Sequence, residues 1–181
     1  MNMKRLILLV LCSILIYSSA NAESDDPEHK EWGISLSCGE GKENIGIYRL
    51  GFQKDYGVKW FKRENSYLSG FFELSYNYWH YTKSDDIHGI ALSPVFAYYF
   101  GNKASFFRPY IAGGIGATFI DRYRIRDRNL GSNFQFEDRI GIGVIIERFD
   151  INFSYFHYSN AGLKLPNSGI DIFLVSGAFR F

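Results

Sequence analysis

Phe72, Leu74, Tyr76 and Tyr78 alternate with Glu73, Ser75 and Asn77. Farther along, Phe134, Phe136, Ile140, Ile142 and Val144 alternate with Asn133, Gln135, Glu137 and Arg139. Ile90, Leu92, Phe96 and Tyr98 repeat the pattern between them. Successive side chains of a β-strand point to opposite faces, so each stretch reads as a strand with one apolar and one polar or charged side. Helical periodicity is hard to find anywhere in the chain, and an aromatic share of 18%, from 17 Phe and 13 Tyr, suits a β protein. The pattern predicts eight strands, roughly Glu31–Cys38, Asn44–Phe61, Ser66–Tyr81, His88–Phe100, Phe106–Ile120, Gly131–Glu147, Asp150–Ser159 and Ile170–Phe181.

Strand length decides what such a sheet is for. Soluble sheets favour strands of about 5–6 residues. A tilted strand crossing a bilayer needs about 9–11, and several of these reach that length. The connections also alternate. Gly101–Ser105 and the Arg148–Asp150 region are short, whereas Asp121–Leu130 and Asn160–Gly169 are long. Short turns on one side and long loops on the other mark an up-and-down membrane barrel with both termini in the periplasm. The fold expected is therefore all-β: an eight-stranded antiparallel up-and-down transmembrane β-barrel, apolar towards lipid and polar in its lumen. A soluble lipocalin-like barrel would need the reverse, and the aromatic excess and terminal Phe181 speak against it. Trp32, Trp60 and Trp79 are expected in the interfacial aromatic girdle.

The N-terminus points to the same compartment. Lys4 and Arg5 precede an apolar run from Leu6 to Tyr17, and Ala20-Asn21-Ala22 has the form of a cleavage site. Residues 1–22 read as a signal peptide and 23–181 as the outer-membrane barrel domain, led by the polar stretch Glu23–Lys30. Leu11 before Cys12 is not the small residue a lipoprotein site prefers. Removing Lys4 and Arg5 takes the net charge from +1 to −1, which gives no nucleic-acid footprint. Cys38 is then the only cysteine, so no internal disulfide forms. His29, His80 and His88 have no metal-ligand spacing, and neither a metal nor any other cofactor is expected.

The last two strands hold the chemistry. Ile151, Phe153 and Tyr155 share a face that continues to His157 and Ser159. Phe173, Val175, Gly177, Phe179 and Phe181 share the face that Asp171 begins. A base, a hydroxyl and a carboxylate thus lie on lipid-facing sides of one hairpin, at the outer-leaflet end. Polar groups facing hydrocarbon are costly unless paired or functional. A serine hydroxyl needs a base to take its proton, and a carboxylate can hold the other imidazole nitrogen. The oxyanion then needs a donor, for which Asn160 and the amides of the Asn160-Ala161-Gly162 turn are nearest. By itself, an H-x-S spacing in a β protein is more often an ordinary interfacial pair.

The run His157-Tyr158-Ser159-Asn160-Ala161-Gly162-Leu163-Lys164, with Pro166-Asn167 and Gly169-Ile170, resembles the signature of the PagL family of outer-membrane lipid A 3-O-deacylases. Asn129-Leu130-Gly131-Ser132 and Phe136-Glu137-Asp138-Arg139-Ile140-Gly141 are similar to the same family, and Pro94-Val95-Phe96 more weakly so. The resemblance implies a metal-free serine esterase with His157 as base, Ser159 as nucleophile, Asp171 as acid and Asn160 important for activity, plausibly at the oxyanion. It also implies a lipid A or lipopolysaccharide substrate among outer-membrane lipids, in a Gram-negative outer membrane, with the site facing the outer leaflet. One departure stands out: the family's acid is usually Glu, and Asp171 is one methylene shorter. A homodimer through lipid-facing aromatics is compatible with this barrel. A phospholipase-type esterase and a non-enzymatic barrel, structural or adhesive, are the alternatives.

Arg122, Arg124, Arg126 and Arg128 alternate through an outer loop. They read either as contacts for lipid A phosphates or as a solvated loop partnered by Asp121 and Asp127. Glu137 and Arg139 face the lumen by parity and are expected to form an ion pair there. Asp138 has lipid-facing parity, which a local bulge would relieve.

Overall fold

The computed structural model describes residues 32–41, 45–82, 85–101, 105–125 and 128–181. The expected signal peptide, His29, Arg126 and Asp127 lie outside the described residues. The strands are β1 (Trp32–Gly41), β2 (Ile45–Asp55), β3 (Trp60–Arg63), β4 (Ser66–His80), β5 (Ile87–Phe100), β6 (Phe107–Ile120), β7 (Arg124–Ile125), β8 (Arg128–Asn129), β9 (Phe134–Ile146), β10 (Phe149–Ser159) and β11 (Ile170–Arg180). Eight of them form an antiparallel sheet in the order β2-β1-β11-β10-β9-β6-β5-β4, closed by pairing of β2 with β4. Closure removes every sheet edge, the condition for strands to cross a bilayer. The start of β1 meets the last residue of the chain at the base, where Trp32 and Phe181 exchange backbone hydrogen bonds of 2.9 and 2.8 Å.

Two stretches differ from the sequence expectation. The second strand stops at Asp55 rather than Phe61. Tyr56 still donates its backbone N–H to the Gly70 carbonyl, residues 56–59 interrupt the strand, and β3 then continues along β4 in the same direction with a shifted register. The long outer loop after β6 contains its own small hairpin, β7–β8.

The barrel is apolar on its outside. Ile34, Leu36, Leu50, Leu74, Ile90, Leu92, Ile140, Ile142, Phe153 and Val175 are all exposed there. Arg49, Glu73, Asn77, Ser93, Gln135 and Glu137 are buried inside. Such a surface is solvated by lipid and not by water.

The lumen is less uniformly polar than expected. Its outer end is an apolar plug that includes Ile45, Ile47, Ile120, Leu130, Tyr158 and Ile172. Its periplasmic end holds Tyr67, Phe71, Tyr99 and Tyr110. Between them lies a charged layer centred on Arg49, which reaches Glu73 at 2.8 Å and Glu137 at 2.8 Å. Arg139 also reaches Glu73, at 3.0 Å. Trp79 belongs to the plug, not to the girdle. It is buried to 1% exposure with its ring edge-on to Tyr158, because its parity is opposite to that of the outward Tyr76 and Tyr78. Trp32 does sit outward at the base, stacked on Phe52 at 4.9 Å.

Candidate active site

The β10–β11 register sets His157 directly opposite Asp171. That pairing compensates for the short aspartate. Its Oδ1 lies 2.7 Å from His157 Nδ1, so no longer side chain is needed to span the gap. The Tyr155 hydroxyl donates to the same Oδ1 at 2.7 Å and fixes the carboxylate from a second direction. Tyr155 was legible only as an apolar-face aromatic; its two-residue spacing from His157 was the available signal.

With Nδ1 held, Nε2 is the ring nitrogen left to a substrate or a hydroxyl. Ser159 lies two residues along the same strand face. It is nevertheless 3% exposed, and its Oγ has no hydrogen-bond partner. Leaving a buried hydroxyl unpaired costs about 1–3 kcal/mol. A nucleophile awaiting a proton acceptor carries that cost, as does the buried Ser75 Oγ inside the lumen, which is unpaired too.

The backbone around these groups is held from inside the barrel. Tyr158, between His157 and Ser159, points into the lumen and donates to Glu137 at 2.7 Å. Glu137 also receives Arg49 and Ser93, each at 2.8 Å. The ion pair expected between Glu137 and Arg139 is instead made by Arg49 to Glu137, with Arg139 on Glu73. Asp138 needs no bulge: β9 keeps an unbroken register with β10, and Asp138 stands opposite His157 on the side away from Asp171.

The loop from Asn160 to Gly169 is held by the β7–β8 segment. Asn160 is fully buried, and its Nδ2 donates to the carbonyls of Leu130 at 2.9 Å and Lys164 at 2.7 Å. Its Oδ1 accepts the Gly162 N–H at 2.9 Å. Asn160 therefore acts as the loop's internal brace. Its backbone N–H donates to Asn167 Oδ1 at 3.1 Å, which fixes the Asn167 amide and leaves its Nδ2 as a side-chain donor. Arg128 donates to the carbonyls of Ser168 at 3.0 Å and Gly169 at 2.7 Å. Gly131, at φ +82, packs so tightly that a Cβ there would lie 2.3 Å from the Pro166 carbonyl oxygen. Gly169, at φ +57, lies against the imidazole itself.

Of the four alternating arginines, Arg122 is paired with Asp85 and Arg128 with the loop carbonyls. Arg124 points to solvent beside Tyr123.

A hydrogen-bonded histidine–carboxylate pair beside a buried free hydroxyl, on the outer wall of a lipid-facing barrel, is the arrangement that comparison with other proteins can test. The profile for lipid A 3-O-deacylase (PagL) matches residues 46–180. The chain belongs to the PagL family. It is 34% identical over 172 residues to the lipid A deacylase PagL of Pseudomonas aeruginosa, covering 93% of this chain and 94% of that protein. It is 38% identical over 89 residues to the lipid A deacylase PagL of Bordetella bronchiseptica, covering 49% of this chain and 47% of that one. The crystal structure of the outer membrane enzyme PagL superposes with a TM-score of 0.75 at 33% identity, over 81% of this chain and 98% of that one.

Proposed function

We propose that His157, Ser159 and Asp171 carry the lipid A 3-O-deacylase activity of this outer-membrane family, as base, nucleophile and orienting acid. The observation that supports this most is the 2.7 Å bond from His157 Nδ1 to Asp171, next to a buried Ser159 Oγ with no partner. In this reading Nε2 takes the proton of Ser159 as Oγ attacks the carbonyl carbon of the ester at the 3-position. The tetrahedral intermediate collapses, and His157 returns the proton to the departing sugar oxygen. The acyl chain stays on Ser159 until water, deprotonated by His157, releases it as a fatty acid. Asp171 holds the imidazole in the tautomer that leaves Nε2 free to accept, and it stabilises the imidazolium. Both hydrogens of the Asn160 amide are engaged by the carbonyls of Leu130 and Lys164, so its side chain serves the loop that follows Ser159. Asn160 then supports activity by shaping that loop.

The test is to incubate the refolded protein in detergent with lipid A and follow the mass of the lipid. One acyl chain should leave the 3-position. Ser159→Ala and His157→Ala should fold as barrels and release none. Full turnover by either variant refutes the assignment, and an unaltered lipid with folded wild-type protein refutes the enzymatic reading.

A further inference from the structure

Beside the catalytic loop, Tyr123 carries a cation on each of two neighbours. The Lys164 ammonium is 5.9 Å from its ring centroid and the Arg124 guanidinium 6.0 Å. The ring is a fixed platform. It packs on the apolar plug, and its carbonyl accepts the Leu130 N–H at 2.8 Å. Lys164 is tied to the site through its own carbonyl, which accepts from Asn160, the residue after Ser159, at 2.7 Å. Both cations are exposed. Neither has a carboxylate partner among the described residues. The described acids of the outer loops are taken: Asp85 by Arg122, Asp86 by Tyr78 and His80, Asp121 by the His88 N–H. Two like charges gathered at one ring, with no counter-ion among the described residues, repel each other, and an anion bound by both relieves that.

Resting on the deacylase reading, we propose that Arg124 and Lys164, seated on Tyr123, form a phosphate subsite that binds a phosphate monoester of the lipid A sugar headgroup and places its ester at Ser159. An exposed guanidinium and an ammonium suit such a group. The guanidinium offers two parallel donors and the ammonium a mobile point charge. Arg122 and Arg128 are outside this subsite because their guanidinium groups are already engaged.

Binding separates the subsite from catalysis. Refolded Ser159→Ala protein, which binds without turnover, is titrated with lipid A in detergent micelles and with lipid A stripped of its phosphates. Adding Arg124→Gln and Lys164→Gln should weaken binding of lipid A about fivefold to tenfold, the size expected of two solvent-screened ionic contacts. Binding of the stripped lipid should not change. Lys54→Gln, which removes a cation seated on Trp32 at the other end of the barrel, should change neither. In protein that keeps Ser159, the double substitution should raise KM for lipid A by the same factor and leave kcat unaltered. Equal weakening towards both lipids overturns the proposal, as does no weakening. Phosphatidylglycerol micelles that bind as well as lipid A, with the same sensitivity to the two substitutions, also overturn it, because the patch would then hold any anionic headgroup. Phosphate-dependent binding by a wild-type protein that hydrolyses nothing would uphold the subsite and sink the deacylase reading alone.

Discussion

Gly169→Ala tests whether the imidazole is held as tightly as the geometry implies. A Cβ at this position would stand 3.0 Å from His157 Cε1, 3.3 Å from the Tyr158 carbonyl oxygen and 3.4 Å from His157 Nε2. The first two are tighter than ordinary van der Waals contact, so the ring must give by a few tenths of an ångström. It has little freedom to do so. Nδ1 is fixed at 2.7 Å by Asp171, which Tyr155 holds in turn. Relief therefore comes by stretching the His157–Asp171 bond or by turning the ring, which displaces Nε2. A displacement of about 1 Å at a reacting group costs on the order of 10²-fold in rate, so a smaller one should lower kcat by about tenfold to hundredfold. The φ of +57 adds backbone strain of about 1–2 kcal/mol, which a closed barrel tolerates. Gly101→Ala is the matching control. Its φ is +105, but its Cβ would meet the side chains of Ser105 and Arg108, at the opposite end of the barrel. Both variants are refolded, checked for heat-modifiable migration and assayed for initial rates of acyl release. Gly169→Ala should lose kcat with KM held, and Gly101→Ala should lose neither. If Gly169→Ala keeps its kcat, or if Gly101→Ala loses as much, the close contact with His157 does not position the base.

Asp171→Asn preserves size while removing the charge that fixes the imidazole tautomer, so kcat should fall by about 10²–10⁴-fold with the barrel intact, and unchanged kcat in initial-rate assays would remove Asp171 from the triad. Glu137→Leu leaves Arg49 buried with one carboxylate where it had two, and loses the bonds from Tyr158 and Ser93. Breaking a buried pair in this way should cost about 3–5 kcal/mol, read as a lower urea midpoint in micelles; an unshifted midpoint would mean the charged layer is not what holds the barrel closed.

Strand parity made most of the fold legible. Phe72 to Tyr78 and Phe134 to Val144 show apolar and polar faces so cleanly that the barrel, its lipid-facing side and its buried Glu137 follow from counting by twos. The hairpin carrying His157, Ser159 and Asp171 was legible for the same reason. Trp79 shows what happens when a general preference is placed above parity: Tyr76 and Tyr78 point outward, so Trp79 had to point inward. Other features lie beyond any one-strand pattern. Parity assigns Ser159 a face but not a depth, and its burial depends on how the loops around the rim settle. The roles of Asn160 and Arg128 are set by carbonyls of Leu130, Lys164, Ser168 and Gly169, which are brought near only by loop docking. Asp171 could be placed opposite His157 only through the register of β10 with β11, which a loop of ten residues leaves undetermined. Alternation also explains why the proposed catalytic groups can stand on a strand rather than on a loop. Between the two outward groups His157 and Ser159, the chain must send Tyr158 into the lumen, where Glu137 and Arg49 fix it. The polar interior that keeps the barrel folded thus holds the backbone of the outward-facing chemistry in place.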